Sequence, residues 1–346
     1  MEMTTLLGVL LVGAAGLMTG SYLWPIKLMR NLQFEHWWFV NVVVGLILMP
    51  WAVTLSLCPH AIDAYASVDP HVLLLSNLFA LAWGVANILG GLCFARIGFA
   101  LTGALLTGLG ASLGVTIPMI FKGSGCFQNA PDLWSLPGKT VLVGVAVMLL
   151  GVALASLAGF GRDKALRKLQ KSEGSFVAGL IMAIAAGVLS TGISLAFVYG
   201  QGPIVDAMKF RGAHDVPANF AVWAVGLSAG ALLNVIYPAY LMTIHGSWGV
   251  LAKNIKEIAL AAIMGVTFSV AVATMGKGMI LLGALGASVG FGIQQSLQML
   301  SGQGVGFVTG EWRGVSGTPR YQMAAAVFLL IVAAVLMAYG NQLAKL

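Results

Sequence analysis

The sequence predicts an all-α integral membrane protein of ten transmembrane helices, arranged as a five-plus-five inverted repeat. Three observations carry this. The chain is 59% hydrophobic and 8% charged, with a mean hydropathy of +0.94, whereas soluble globular proteins carry about 25% charged residues; a water-soluble domain is excluded. Ten apolar stretches of about 20 residues each match the roughly 30 Å of hydrocarbon that a helix must cross, and they leave only short connections. A charged segment at mid-chain separates two halves that share sequence.

In order, the stretches are 4–24, 37–57, 72–95, 98–121, 139–160, 176–199, 217–242, 255–274, 278–300 and 321–343. The first runs to Trp24 and breaks at Pro25. With Glu2 ahead of it, it reads as an uncleaved helix and not as a leader with a basic start. The ninth can continue through Gly302 to Phe307, still mostly apolar, before Glu311 and Trp312 end it. Between the fifth and sixth lies 161–174, which carries Arg162, Lys164, Arg167, Lys168 and Lys171. It divides the chain into a first repeat (1–160), a charged connection (161–174) and a second repeat (175–346).

Residues 104–117 align without gaps to 280–293 with eight of fourteen positions identical, and Ala14 to Met18 matches Ala185 to Leu189 at a similar offset. An odd number of helices per copy inserts the second copy upside down, and inverted repeats around a midplane site characterise alternating-access transporters. Met275-Gly276-Lys277-Gly278, the expected turn between the eighth and ninth helices, resembles in length Arg96-Ile97-Gly98 between the third and fourth. Repeat symmetry therefore pairs the third and fourth helices with the eighth and ninth. The odd-numbered connections hold twelve Lys and Arg, against six in the even-numbered ones and the termini. That excess places 161–174 in the cytoplasm and both termini outside, and it accounts for the net charge of +7 without nucleic acid.

The third stretch sets Trp83 and Asn87 four residues apart, on one helical face. An indole and a carboxamide so placed suit a sugar: the ring stacks on C–H faces, the amide exchanges hydrogen bonds with hydroxyls, and neither carries charge into the bilayer. Interhelical bonding by Asn87, with Trp83 as packing, explains the pair equally well. The ninth stretch carries Gln294, Gln295 and Gln298, with Gln303 beyond; such clustered amides need protein or a wet cavity to face. The sugar is expected between these two helices. Asn234 in the seventh stretch is a further candidate, and Ser190, Thr191 and Ser194 in the sixth are weaker ones, because hydroxyls often bond back to their own helix.

All eleven carboxylates fall in connections or near helix ends, so the pattern favours a neutral polar solute. Any coupling carboxylate is expected at a helix end: Glu257 first, flanked by Lys253 and Lys256, then Asp206 and Glu311, each of which also reads as a surface ion pair. Cys58 and Cys126 fall in connections on the same outer face and are predicted to form a disulfide, provided that their Cα atoms approach within roughly 7 Å. Trp24, Trp37, Trp38, Trp51 and Trp312 read as interfacial anchors. Three Gly-x-Ser-x-Gly matches, starting at Gly110, Gly226 and Gly286, follow from the 45 glycines and lack a nearby base. No metal-ligand spacing or phosphate loop is present, and no cofactor is expected.

Several of these residues form blocks: Tyr22-Leu23-Trp24-Pro25-Ile26-Lys27, Leu48-Met49-Pro50-Trp51-Ala52, Trp83-Gly84-Val85-Ala86-Asn87 followed by Gly91, Arg96-Ile97-Gly98, Asn234 and Glu311-Trp312. Together they resemble the L-rhamnose-proton symporter family, a branch of the drug/metabolite transporter superfamily, nearly end to end. The resemblance implies ten helices in inverted repeats, both termini periplasmic, and import of a 6-deoxyhexose across a bacterial inner membrane, driven by protons. The stretch 263–271 is small and bland where enterobacterial members are rich in aromatics, so the sugar stays open between L-rhamnose and a related hexose. A metabolite or drug exporter of the same superfamily would want a more aromatic, less amide-rich cavity; an uncoupled or sodium-coupled sugar transporter is the other alternative. The expected partners are a small neutral sugar, the proton and membrane lipid.

Overall fold

The computed structural model describes residues 3–97, 99–120, 132–166, 176–282 and 289–343, and these are helical with no strand. In hydrocarbon every backbone N–H and C=O must be satisfied within the segment or by a neighbour, which is why apolar stretches of this length become helices. The α-helices are α1 (Met3–Ser21), α2 (Phe34–Val42), α3 (Met49–Leu57), α4 (Ala61–Ala66), α5 (Pro70–Ile97), α6 (Phe99–Ile120), α7 (Leu136–Ala165), α8 (Phe176–Ser190), α9 (Gly192–Phe210), α10 (Asp215–Gly226), α11 (Ser228–Ile244), α12 (Trp248–Lys253), α13 (Ile255–Leu282), α14 (Phe291–Val308) and α15 (Thr318–Leu343). A 3-10 turn covers Trp24–Leu28, and a π-helical segment, Val43–Leu48, joins α2 to α3.

Among the described residues, seven helical segments are long and apolar enough to cross a membrane, and eight if the bent pair α10 and α11 counts as one span. Three features depart from the sequence expectation. The sixth stretch, expected over 176–199, is interrupted at Thr191 and continues as α9 to Phe210, which places Asp206 inside a helix. The stretch 217–242 is not one helix: it breaks at Leu227, where α10 and α11 meet at 59°. Residues 275–278 do not form a turn, because α13 runs through them to Leu282. The ninth stretch extends to Val308, as its apolar continuation allows.

The chain divides into two compact units. One comprises Met1–Gly20, Ala86–Thr191 and Gly278–Leu346. In it α7 packs lengthwise on α15: a Cβ on Gly144 or Gly151 would lie 2.8 Å from Met337 Cγ or 3.0 Å from Leu330 Cγ, so glycines seven residues apart receive side chains seven residues apart. Ser135 caps α7, its hydroxyl accepting from the Gly138 N–H at 3.1 Å. Trp312, expected at the interface, is 2% exposed and lies in the core with Ala155, Ala158, Val315 and Met323. Positive φ angles at Gly310, Gly314 and Gly317 fold the segment back and carry the ring inward.

The other unit comprises Ser21–Val85 and Gly192–Lys277. Here the π segment meets α13 backbone to backbone: a Cβ on Gly45 would lie 2.6 Å from the Gly265 carbonyl oxygen, and one on Gly265 2.5 Å from that of Asn41. This contact requires the glycine at 265 within the stretch 263–271. Gly230 lies equally close to α5, where an added Cβ would collide with the Ala80 carbonyl oxygen.

Candidate functional site

In the second unit, the break at Leu227 organises the polar residues. A break inside an apolar helix strands carbonyls and N–H groups, and here side chains of α5 take them up. The Asn77 amide donates to Val225 O at 2.9 Å and accepts from the Ala229 N–H at 3.0 Å and the Ser228 hydroxyl at 2.9 Å. The Ser76 hydroxyl, fully buried, lies 2.8 Å from both Gly226 O and Ala196 O. Sequence reasoning missed Asn77 and Ser76. Their signal was available as two adjacent polar residues two turns before Trp83 in an apolar run.

One turn beyond the break the structure brings Trp83 and Asn234 together around Gly230. A Cβ on Gly230 would lie 3.1 Å from Trp83 Cε3, and the Asn234 amide donates to Gly230 O at 2.9 Å. Asn234 is 1% exposed and also accepts from Trp38 Nε1 at 3.2 Å, so Trp38, expected as an interfacial anchor, is bonded into the unit. One turn along α2, Asn41 is buried and its Oδ1 has no hydrogen-bond partner among the described residues. A buried amide oxygen left open is costly. It has accepting capacity to spare for a hydroxyl.

In the first unit, α1 and α14 touch through Gly16 and Gly20: a Cβ on Gly16 would lie 2.6 Å from Gln294 O, and one on Gly20 would collide with Gln298 O. Gln294 is 4% exposed and donates to the Thr19 hydroxyl and to Gln298 Oε1, both at 2.8 Å. It ties two helices. Gln295 and Asn87 are half-buried, and neither makes a hydrogen bond among the described residues.

The carboxylates sort by partner. Glu257 accepts from the backbone N–H groups of Arg30 (3.1 Å), Asn31 (3.0 Å) and Leu32 (2.9 Å) and from the Asn31 amide (3.0 Å). Its hydrogen-bond partners are therefore in the connection before α2, not Lys253 or Lys256. Glu311 pairs with Arg162 at 2.7 Å, and that guanidinium lies 5.6 Å from the Trp312 ring centre, with Phe307 stacked on Trp312 at 4.9 Å. Asp206 is exposed. Ser112 and Ser228 of the Gly-x-Ser-x-Gly matches bond to the Leu109 and Val225 carbonyls of their own helices, and Ser288 lies outside the described residues. Cys58 is buried, which pushes its thiol pKa up, and Cys126 lies outside the described residues. Among the described residues no three His, Cys, Asp or Glu cluster as a metal site would require.

Apolar helices of spanning length, one of them broken and patched by a neighbour's amide, define a multi-pass membrane protein with the architecture of a small-solute transporter. The sequence model of the family L-rhamnose-proton symport protein (RhaT) matches residues 1–343, and the chain belongs to that family. It is similar to the L-rhamnose-proton symporter of Yersinia pestis bv. Antiqua (strain Antiqua), with 29% identity over 241 residues covering 68% of this chain and 67% of the relative. The L-rhamnose-proton symporter of Yersinia pseudotuberculosis serotype O:1b (strain IP 31758) is similar to the same extent.

Proposed function

We propose that the protein imports L-rhamnose, or a closely related 6-deoxyhexose, together with protons, by alternating access across a bacterial inner membrane. The observation that carries this is the family match over residues 1–343. The chemistry agrees with it: apart from Glu35 and His36, the buried polar side chains among the described residues are amides, hydroxyls and indoles, which suit a neutral polyol. The proposed sugar contacts are Trp83 and Asn234 in the second unit and Asn87, Gln295 and Gln298 in the first, while Gln294, bonded to Thr19 and Gln298, holds α14 to α1. In this reading the chain is a ten-helix member of the drug/metabolite transporter superfamily. Its halves, 1–160 and 175–346, are inverted copies joined by a cytoplasmic 161–174, and both termini are periplasmic. The coupling carboxylate is at a helix end, Glu257, Asp206 and Glu311 being the candidates that the sequence singles out, and Cys58 stands as a free, buried thiol and not in the expected disulfide with Cys126.

Uptake of radiolabelled L-rhamnose into proteoliposomes of the purified protein tests the reading. An inward proton gradient should drive accumulation, collapse of that gradient should abolish it, and an inward sodium gradient should not replace it. Accumulation driven by sodium, or equilibration without concentration, would overturn the coupling.

A further inference from the structure

One buried carboxylate has no part in the account above. Glu35 stands in the first turn of α2 with its side chain 8% exposed. Its one basic partner among the described residues is His245, whose Nδ1 lies 3.3 Å from Glu35 Oε1. His36 next to it is committed elsewhere. Its Nδ1 accepts the Gln33 N–H at 3.1 Å, so Nε2 carries the hydrogen and faces Ser247 O at 3.2 Å. Both ring nitrogens of His36 are engaged, which leaves Glu35 to His245 alone.

His245 caps the C-terminal end of α11 and is half-exposed, at 54%. The C-terminal end of α11 and the first turn of α2 thus bring the ring and the carboxylate face to face. The ring is half-exposed and the carboxylate is not, so the imidazole is the way in. Around the pair, α11 carries Tyr237 and Tyr240, α12 carries Lys253, α13 carries Glu257, and the connection before α2 carries Lys27 and Arg30. The Glu257 carboxylate is occupied by the N–H groups of residues 30–32.

The same two helices share a second link. Trp38, three residues after Glu35 on α2, donates to Asn234 on α11. α2 and α11 are thus joined by two rungs: Glu35 to His245 at the end, and Trp38 to Asn234 inside, beside Gly230 and Trp83. We propose that Glu35 and His245 together form the proton-binding site of the transporter, with the Trp38–Asn234 rung linking its occupancy to the sugar residues. This rests on the symport reading. The pair binds one proton: Glu35 carboxylate and neutral His245 carry one negative charge, and the added proton sits between Oε1 and Nδ1 and brings the pair to neutrality. Its departure leaves a buried carboxylate without a cationic partner, which favours the two helices separating.

The test uses the full-length protein in proteoliposomes and in detergent, comparing wild type with Glu35→Gln and His245→Gln. Rhamnose exchange at equal sugar on both sides needs no net proton movement, and Glu35→Gln should keep it within about threefold while losing rhamnose-evoked proton uptake. Without any sugar, the melting temperature of the wild type should vary between pH 5 and 8, and both variants should flatten that dependence. His245→Gln, at a half-exposed position, separates loss of the proton site from misfolding. A wild type that moves no rhamnose would fail the symport reading, while the melting curves still report on the proton. Proton uptake with rhamnose at the wild-type ratio in Glu35→Gln, or melting curves with unchanged pH dependence in both variants, would overturn the site.

Discussion

The amides around the Leu227 break and the amides of α14 look alike in composition and do opposite work. At the break Asn77 replaces backbone partners that a bent helix has lost: two donors and a carbonyl of residues 225–229 depend on its side chain. On α14 the helix is intact, and Gln294 spends its donors on Thr19 of α1 and on Gln298. One set makes an irregular backbone tolerable within an apolar span, and the other fixes the distance between two regular helices. The comparison teaches that an amide in an apolar stretch marks a ligand site only when its capacity is left over, as it is at Gln295, Asn87 and Asn41 Oδ1.

The comparison breaks most visibly at Asn77. Asn77→Ala strands the Ala229 N–H, worth about 1–3 kcal/mol when buried unpaired, and removes one of the donors to Val225 O. The melting temperature in detergent should fall steeply and the amount of folded protein in the membrane should drop. A variant as stable as wild type would mean that the break does not need its patch.

A smaller effect is expected at the ring. Trp83→Ala should weaken sugar binding by more than about tenfold, because it removes the stacking face, and Asn87→Ala or Gln295→Ala by severalfold to about tenfold, the worth of one hydrogen bond to a hydroxyl. Calorimetric titration of monodisperse protein would read this. Wild-type affinity in all three would reduce them to packing.

The smallest effect sharpens the contrast between neighbours. Gln294→Ala should cost about 1 kcal/mol of stability, through the lost Thr19 bond, and leave sugar affinity nearly unchanged, whereas Gln295→Ala should do the reverse. The same titration paired with thermal melts decides it, and an exchange of the two phenotypes would reverse the assignment of the α14 faces.

Helix existence was legible because hydropathy reads length; ends were less so, since α5 runs through the expected turn residues Arg96 and Ile97, while α14 takes up the optional apolar extension to Val308. Backbone irregularity was not. Gly226-Leu227-Ser228 is as apolar as its flanks, so nothing in a window average shows the break at 227. Met275-Gly276-Lys277-Gly278 looked like a turn, yet Gly278 serves close packing: an added Cβ would lie 2.7 Å from Val12 Cγ2 and 2.9 Å from Val12 N. Its glycine answers a neighbour, which sequence periodicity cannot see. Trp83, Asn87 and the glutamines were legible as polar groups in apolar helices. Which of them were already spoken for depended on partners such as Thr19 and Trp38, far away in sequence. Glu35 was visible only as one more carboxylate near a helix end; burial and His245 set it apart.

The grip of Glu257 on residues 30–32 has a mechanical consequence. A connection of a few polar residues between two apolar helices would ordinarily act as a slack hinge. Here three successive amides close on one carboxylate of α13, so the entry to α2 and the start of α13 are pinned to each other at a single point. Whatever rocking α2 undergoes must pivot about that pin or carry α13 along with it, and lengthening the 29–33 segment by even one residue would detach the lever from its fulcrum.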